Sequence, residues 1–299
     1  MGGKISLSIG ELQWKFGIKE AIKIAKEAGA EAVDFNLGGR DYRGKNDIYS
    51  KSDEEITEYY NDIRKYADSI GMEIGQTHGR LRTGFREEEE TAAAIENARR
   101  DLLATSALGV KVSVFHYINS YRMGIHTPAE EMRSKNFEIF KQIFAFAREY
   151  NVKIAAETFG NLTEPEKVID FYGNINEFTA MYDRLSAIDG NDKYSAACMD
   201  VGHTNCAVMY GQPSAGDVIR ILGSRIAVLH LHDNNGAEDQ HHLPFSGTID
   251  WKDVFDALDE IGYSGNYNME IKFDSFGKGI EKETAAFAVT AMRNFLNNR

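Results

Sequence analysis

The chain has little cysteine, little proline, few basic side chains for its acidic ones, and no long apolar run. Only 2 of its 299 residues are cysteine, and Cys198 and Cys206 form no CxxC pair, so the sequence offers neither a disulfide framework nor a thiolate metal site. With 4 prolines and no Ser-, Gln- or Pro-rich tract, a long disordered or collagen-like segment is excluded. No apolar stretch approaches the ~18 residues that a spanning helix needs, so no membrane partner is expected. The opening MGGKISLSIGELQW lacks the basic-then-apolar order of a signal peptide, which makes the cytoplasm the expected location. Lysine and arginine number 34 against 46 acidic residues, a formal net charge of -12. That balance weighs against nucleic acid as a partner, because such binding rests on neutralising phosphates, although a local basic face stays open.

What is present is a repeat of short β-rich runs and longer amphipathic stretches. The spacing predicts strands at 4–8, 32–36, 72–78, 111–116, 152–157, 195–200, 225–230 and 266–271. Helical patterns lie between them, at 19–28, 53–70, 88–107, 137–147, 175–187, 214–222, 251–260 and 281–297. In 137–147 the residues Phe137, Phe140, Phe144 and Ala147 recur at helical spacing and predict one buried stripe. Strands that each return through a helix pair in parallel, and eight such units close most naturally as a (β/α)8 TIM barrel, an α/β fold read here as a single domain over 1–299. An open doubly wound sheet is the weaker reading, because the first turn, Ser8-Ile9-Gly10-Glu11, carries no GxGxxG phosphate loop. The stretches 37–52, 117–130, 201–213 and 233–250 read as loops after strands, at the barrel end where active sites form.

The ionisable residues follow the same period. His78, His116, Glu157, Asp200, His230 and Glu270 stand at or near the ends of different predicted strands, 30 to 43 residues apart. In a closed barrel this brings them to one rim. His203 follows Asp200 by three residues, His230 and His232 alternate onto one side of their strand, and Asp239 and His241 return on the next loop. His232 and His242 can also be read as core histidines satisfied by hydrogen bonds. Carboxylates with imidazoles suit Zn, Mn, Fe(II) or Co. Asp233 and Asn234 are expected to orient ligand histidines, and Trp14, Tyr117, Phe159 and Phe245 to wall a pocket. Cys198 should point into the barrel as a small hydrophobe.

The segments Ala156-Glu157-Thr158-Phe159-Gly160-Asn161, Met199-Asp200-Val201-Gly202-His203, His230-Leu231-His232-Asp233-Asn234, Asp239-Gln240-His241-His242-Leu243-Pro244 and Gly247-Thr248-Ile249-Asp250-Trp251, with Tyr263-Ser264-Gly265 leading to Asn268-Met269-Glu270, resemble the xylose isomerase-like TIM-barrel superfamily. The resemblance covers nearly the whole chain and takes in sugar isomerases, 3-epimerases and the endonuclease IV group. In the isomerases and epimerases it implies one divalent metal on Glu157, Asp200, His230 and Glu270, with Glu157 and Glu270 also moving protons. In the endonuclease IV group it implies additional metals, one on His78, His116 and Glu157 and one on His203, Asp239 and His241. The segment after His230 lacks the arginine that 3-epimerases place against substrate hydroxyls.

The expected function is therefore a metal-dependent isomerase or epimerase of a sugar, sugar phosphate or related ketone. Glu157 and Glu270 would be its catalytic acid and base, with Mn, Zn or Co as cofactor. One ion is expected at the four-residue set, and a second or third if the remaining donors converge. His203, His232, Arg80 and Phe159 are the expected substrate-binding residues. Arg80, Arg82 and Arg86, with Arg40, Arg43, Lys45 and Arg122, could hold a phosphate or carboxylate, track a DNA backbone or simply balance the carboxylates. The alternative is a zinc phosphodiesterase acting at abasic sites in DNA; a sugar-binding or partner barrel without activity is a third. A homo-oligomer stays open.

Overall fold

The computed structural model describes residues 3–38, 47–80, 87–162 and 166–299. Eight parallel strands make one sheet: β1 (Ile5–Ser8), β2 (Ala32–Asn36), β3 (Glu73–His78), β4 (Val112–Phe115), β5 (Lys153–Glu157), β6 (Ser195–Asp200), β7 (Ile226–His230) and β8 (Tyr267–Met269). From β1 to β7 each pairs with the next in the chain, and β8 pairs with β1. Between β7 and β8, Leu231 bridges to Met269 and donates to Asn268 O at 2.8 Å, which brings the last gap together. The result is a (β/α)8 TIM barrel. No helix among the described residues is long and apolar enough to cross a membrane.

Helices cover the outside because their apolar stripes match the outward faces of the strands. The helix Ala129–Tyr150 buries Met132, Ile139, Phe140, Ile143, Phe144 and Ala147, and stops where Asn151 takes a left-handed conformation with φ 54°. The helix Asp53–Ser69 starts on a capping box, in which Glu55 N donates to Ser52 Oγ and Ser52 N to Glu55 Oε2. Inside the barrel, Val114, Ala155, Ala196, Cys198 and Val228 form a separate core of small side chains. Val114, Ala155, Cys198 and Val228 stand two residues before His116, Glu157, Asp200 and His230, so the next inward side chain after each is one of the ionisable set.

Strand and helix boundaries differ from the sequence reading mostly by one or two residues. Strand β4 ends at Phe115 and β8 at Met269, which leaves His116 and Glu270 just beyond their strands. The helix Val201–Val208 occupies most of a stretch read as loop. It is buried nearly all round, so its sequence shows no polar face and no period. Short helices at Gly10–Phe16 and Ser120–Met123, and a two-stranded hairpin of Asn161–Leu162 with Val168–Ile169, also went unread.

Candidate metal centre

Inward-facing positions at successive strand ends place the ionisable side chains within hydrogen-bonding distance of one another. Glu157 sits at the middle of the set and is almost fully buried. Its Oε2 lies 2.6 Å from His116 Nε2 and 3.3 Å from His78 Nε2, and its Oε1 lies 3.1 Å from His230 Nδ1 and 3.3 Å from His203 Nδ1. Glu270 Oε2 approaches the same His230 Nδ1 at 3.0 Å, with Asp200 Oδ2 at 3.7 Å. Three groups of donor atoms result, each within 4.8 Å: Glu157, Asp200, His230 and Glu270; His78, His116 and Glu157; and His203, His232, Asp239 and His241. Glu157 belongs to two of them.

The donor chemistry fits divalent metal. Among the described residues, every ion pair made by Glu157, Asp200, Asp239 and Glu270 is with a histidine, and no lysine or arginine offsets them. Buried carboxylates are costly without a strong cation, and a mixed oxygen and nitrogen set without thiolate is what Zn, Mn or Co takes. Burial alone would raise the Glu157 carboxyl, but His116 and His230 hold it well below the usual range. Glu270 is likewise held low, against its burial, by His230 and His241. His241 is pushed up to about 9, because Asp239 and Glu270 outweigh its desolvation.

The third group gains a member that the sequence reading gave another role. His232 was expected to contact substrate, yet it is fully buried, stacks on His241 at 4.0 Å between ring centroids, and puts Nε2 3.0 Å from Asp200 Oδ1. Its Nδ1 has no hydrogen-bond partner among the described residues. The motif around Asp200 explains how it fits: Asp200 caps the helix Val201–Val208 by accepting from His203 N at 2.6 Å, and a Cβ on Gly202 would stand 2.0 Å from His232 Cε1. Only glycine leaves room for that ring.

Other expectations also change. Arg80 was to hold a substrate anion, but its guanidinium is buried, paired with both Asp47 oxygens at 2.7 and 2.9 Å, donating to Leu37 O, and stacked 3.5 Å over the Tyr49 ring. Arg40, Arg43, Lys45, Arg82 and Arg86 lie outside the described residues. Asp233 accepts from Trp251 Nε1 and Ile249 N, and Asn234 Nδ2 donates to Gly202 O, so these side-chain bonds shape the loop. Of the four aromatics, Phe159 packs against the site, 5.5 Å from the His116 ring and 5.1 Å from the His203 ring. Tyr117 is packed among Phe140, Tyr172 and Phe178, Phe245 lies against Trp251 and Phe295, and Trp14 is half exposed. Cys198 is buried in the barrel as expected, and burial pushes its thiol up to about 12.

Residues 22–294 match the model of the xylose isomerase-like TIM barrel family. The chain belongs to that family. An uncharacterized protein of Sinorhizobium fredii, y4fM, is 30% identical over 140 residues, which are 47% of this chain and 40% of that one. The chain thus spans less than half the length of this curated relative. Solved structures share the barrel at low identity. A D-tagatose 3-epimerase-like protein has a TM-score of 0.72 at 21% identity, over 98% of this chain and 97% of that one. D-Psicose 3-epimerase from Clostridium cellulolyticum, solved with D-tagatose, gives 0.72 at 15%, over 97% and 98%. The IolI protein with a bound zinc atom gives 0.70 at 16%, over 97% and 95%.

Sequence reasoning about this barrel missed two side chains besides the role of His232. Asp34 and Gln76, inside β2 and β3, both reach His230 Nε2 at 3.2 Å. The signal for Asp34 was an acid in the apolar run Ala32-Val33-Asp34-Phe35, at a position that alternation turns inward.

Proposed function

We propose that the chain is a divalent-metal-dependent isomerase or epimerase of a sugar, sugar phosphate or related ketone. The observation that carries this is the convergence of two glutamates, from strand ends three places apart round the barrel, on one imidazole nitrogen. Moving a hydrogen beside a carbonyl needs one group to remove the proton and one to return it. Two carboxylates aimed at a common point from different strands can do so. Glu157, Asp200, His230 and Glu270 would hold the ion, which supplies the Lewis acidity that makes the neighbouring C–H acidic.

Within this reading Glu270, the more open of the two glutamates, takes the proton from the substrate carbon, and Glu157 serves the opposite face. Phe159 covers the mouth side of His116 and His203 and keeps water from the reacting carbon. His203, whose Nδ1 lies 3.3 Å from Glu157 Oε1, is placed to meet a substrate hydroxyl. His232 is too deep for that role and joins the third donor group. Ketoses come first as substrates because the similar epimerase was solved with D-tagatose. The test is a panel of ketoses in deuterated water with protein loaded with Mn, Co or Zn. Wild type should exchange deuterium into the carbon beside the carbonyl, and Glu270→Gln should slow this about 10²- to 10⁴-fold. Full exchange by Glu270→Gln with metal bound would overturn the assignment.

The three donor groups, two of which share Glu157, favour a second reading, metal-dependent phosphodiester hydrolysis at abasic sites. Cleavage of an abasic duplex that chelator abolishes and salt weakens steeply would put it first.

A further inference from the structure

His230 meets the site carboxylates through Nδ1 and turns Nε2 the other way, into the barrel, where it lies 3.2 Å from Asp34 Oδ2. Asp34 is fully buried, and its Oδ1 has no hydrogen-bond partner among the described residues. The ion pair it makes among the described residues is with His230. A carboxylate in this position is expensive to bury, so packing alone gives no reason for it.

Two register shifts bring these groups to one level. In the pairing of β2 with β3, Val33 faces Ile74 but Asp34 faces Gln76, so Gly75 is skipped. In the pairing of β6 with β7, Ala197 faces Ile226 but Cys198 faces Val228, so Ala227 is skipped. A one-residue step reverses the face that later side chains take, and both bulges leave Gln76 and His230 aimed at the interior. Asn268 Nδ2 lies 3.4 Å from Asp34 Oδ2, and Asn268 Oδ1 accepts from Ser6 Oγ at 2.8 Å. Gln76 Nε2 stands 3.2 Å from His230 Nε2, and because two N–H groups cannot donate to each other, a proton on that ring nitrogen requires the Gln76 amide to turn its oxygen toward it. Side chains from five strands thus form a polar layer directly beneath the metal group.

We propose that Asp34 is a positioning residue that accepts the Nε2–H of His230. This fixes the ring and holds the tautomer whose Nδ1 lone pair faces Glu157, Asp200 and Glu270. The inference rests on the metal reading of those four residues. It makes Asp34 a determinant of ion affinity although it touches neither ion nor substrate.

The test is Co(II) titration of the metal-stripped full chain against a chromophoric chelator, with the melting temperature of each metal-free variant measured alongside. Glu270→Gln identifies which part of the Co(II) signal comes from the four-residue group. In Asp34→Ala that component should bind about 10- to 100-fold more weakly. Asp34→Asn keeps an acceptor oxygen without the charge and should fall between Asp34→Ala and wild type; it also serves if the alanine variant does not fold. Unchanged affinity in a folded Asp34 variant, whatever its melting temperature, means a structural role only and overturns the inference. If wild type shows no Co(II) component sensitive to Glu270→Gln, the metal reading fails first and this one falls with it.

Discussion

Glu157 is the side chain on which two donor groups meet, and its replacement should show the sharing directly. In Glu157→Gln the common carboxylate is lost to His116 and His78 on one side and to His230 on the other, so ions should be lost from both groups. Glu270→Gln weakens one group only. Elemental analysis after loading and desalting should therefore find less metal in Glu157→Gln than in Glu270→Gln; equal losses would contradict a shared ligand. The ligand-type residues were legible in the sequence because each βα unit returns its strand end to the same rim, so spacing alone placed His78, His116, Glu157, Asp200, His230 and Glu270 together. Depth was not legible. Alternation put His230 and His232 on one side of their strand, but did not show that the His232 ring is fully buried against Gly202. Arg80 looked like an anion ligand because a sequence gives charge without partners, and Asp47 and Tyr49 claim it.

At the scale of elements, the long amphipathic helices and the eight strands announce themselves by period, whereas the helix Val201–Val208 and the hairpin after β5 do not, being buried all round or only two residues per strand. The register shifts at Gly75 and Ala227 are equally silent, since a bulge adds one residue without changing composition. Beside the hairpin, Asp170 ties two site loops together: Oδ2 accepts from Ser120 N at 2.7 Å and Oδ1 from Tyr172 N at 2.9 Å. Burial pushes its carboxyl up to about 6, against these backbone donors. A folded-state value above the unfolded one, near 3.9, means the folded chain holds the proton more tightly. The resulting stabilisation is complete below pH ~4 and is lost as pH rises through about 6, roughly 3 kcal/mol in all. Asp170→Asn cannot titrate and keeps one acceptor oxygen, so it should be the less stable form at pH 4.5, with its deficit to wild type shrinking toward pH 7.5. Urea unfolding of both across that range measures it, and a deficit that grows with pH would contradict the raised value.

For the whole molecule, what matters is that the barrel gathers acid at one end of an already acidic chain. Glu157, Asp200, Asp239 and Glu270, with Asp34 beneath them, are brought together by folding and are far apart in the unfolded chain, so an ion that binds among them binds the native state. Such an ion adds RT ln(1 + [L]/Kd), about 2.7 kcal/mol when free metal stands at 100 times Kd. For a chain of this size each kcal/mol shifts Tm by about 2 °C, so saturating one group should raise Tm by roughly 5 °C, and further occupied groups should add to it. Stripping the loaded protein with chelator should reverse the shift. Two controls separate this from a general effect of divalent ions on an acidic surface: Glu157→Gln, which should respond to the metal much less than wild type, and added salt. Surface charge is screened within about 10 Å at 0.1 M, but side chains buried at strand ends are screened far less. The wild-type shift should therefore survive moderate salt. A shift that salt removes, or that Glu157→Gln shows in full, would locate the ions on the surface and leave the barrel mouth without them.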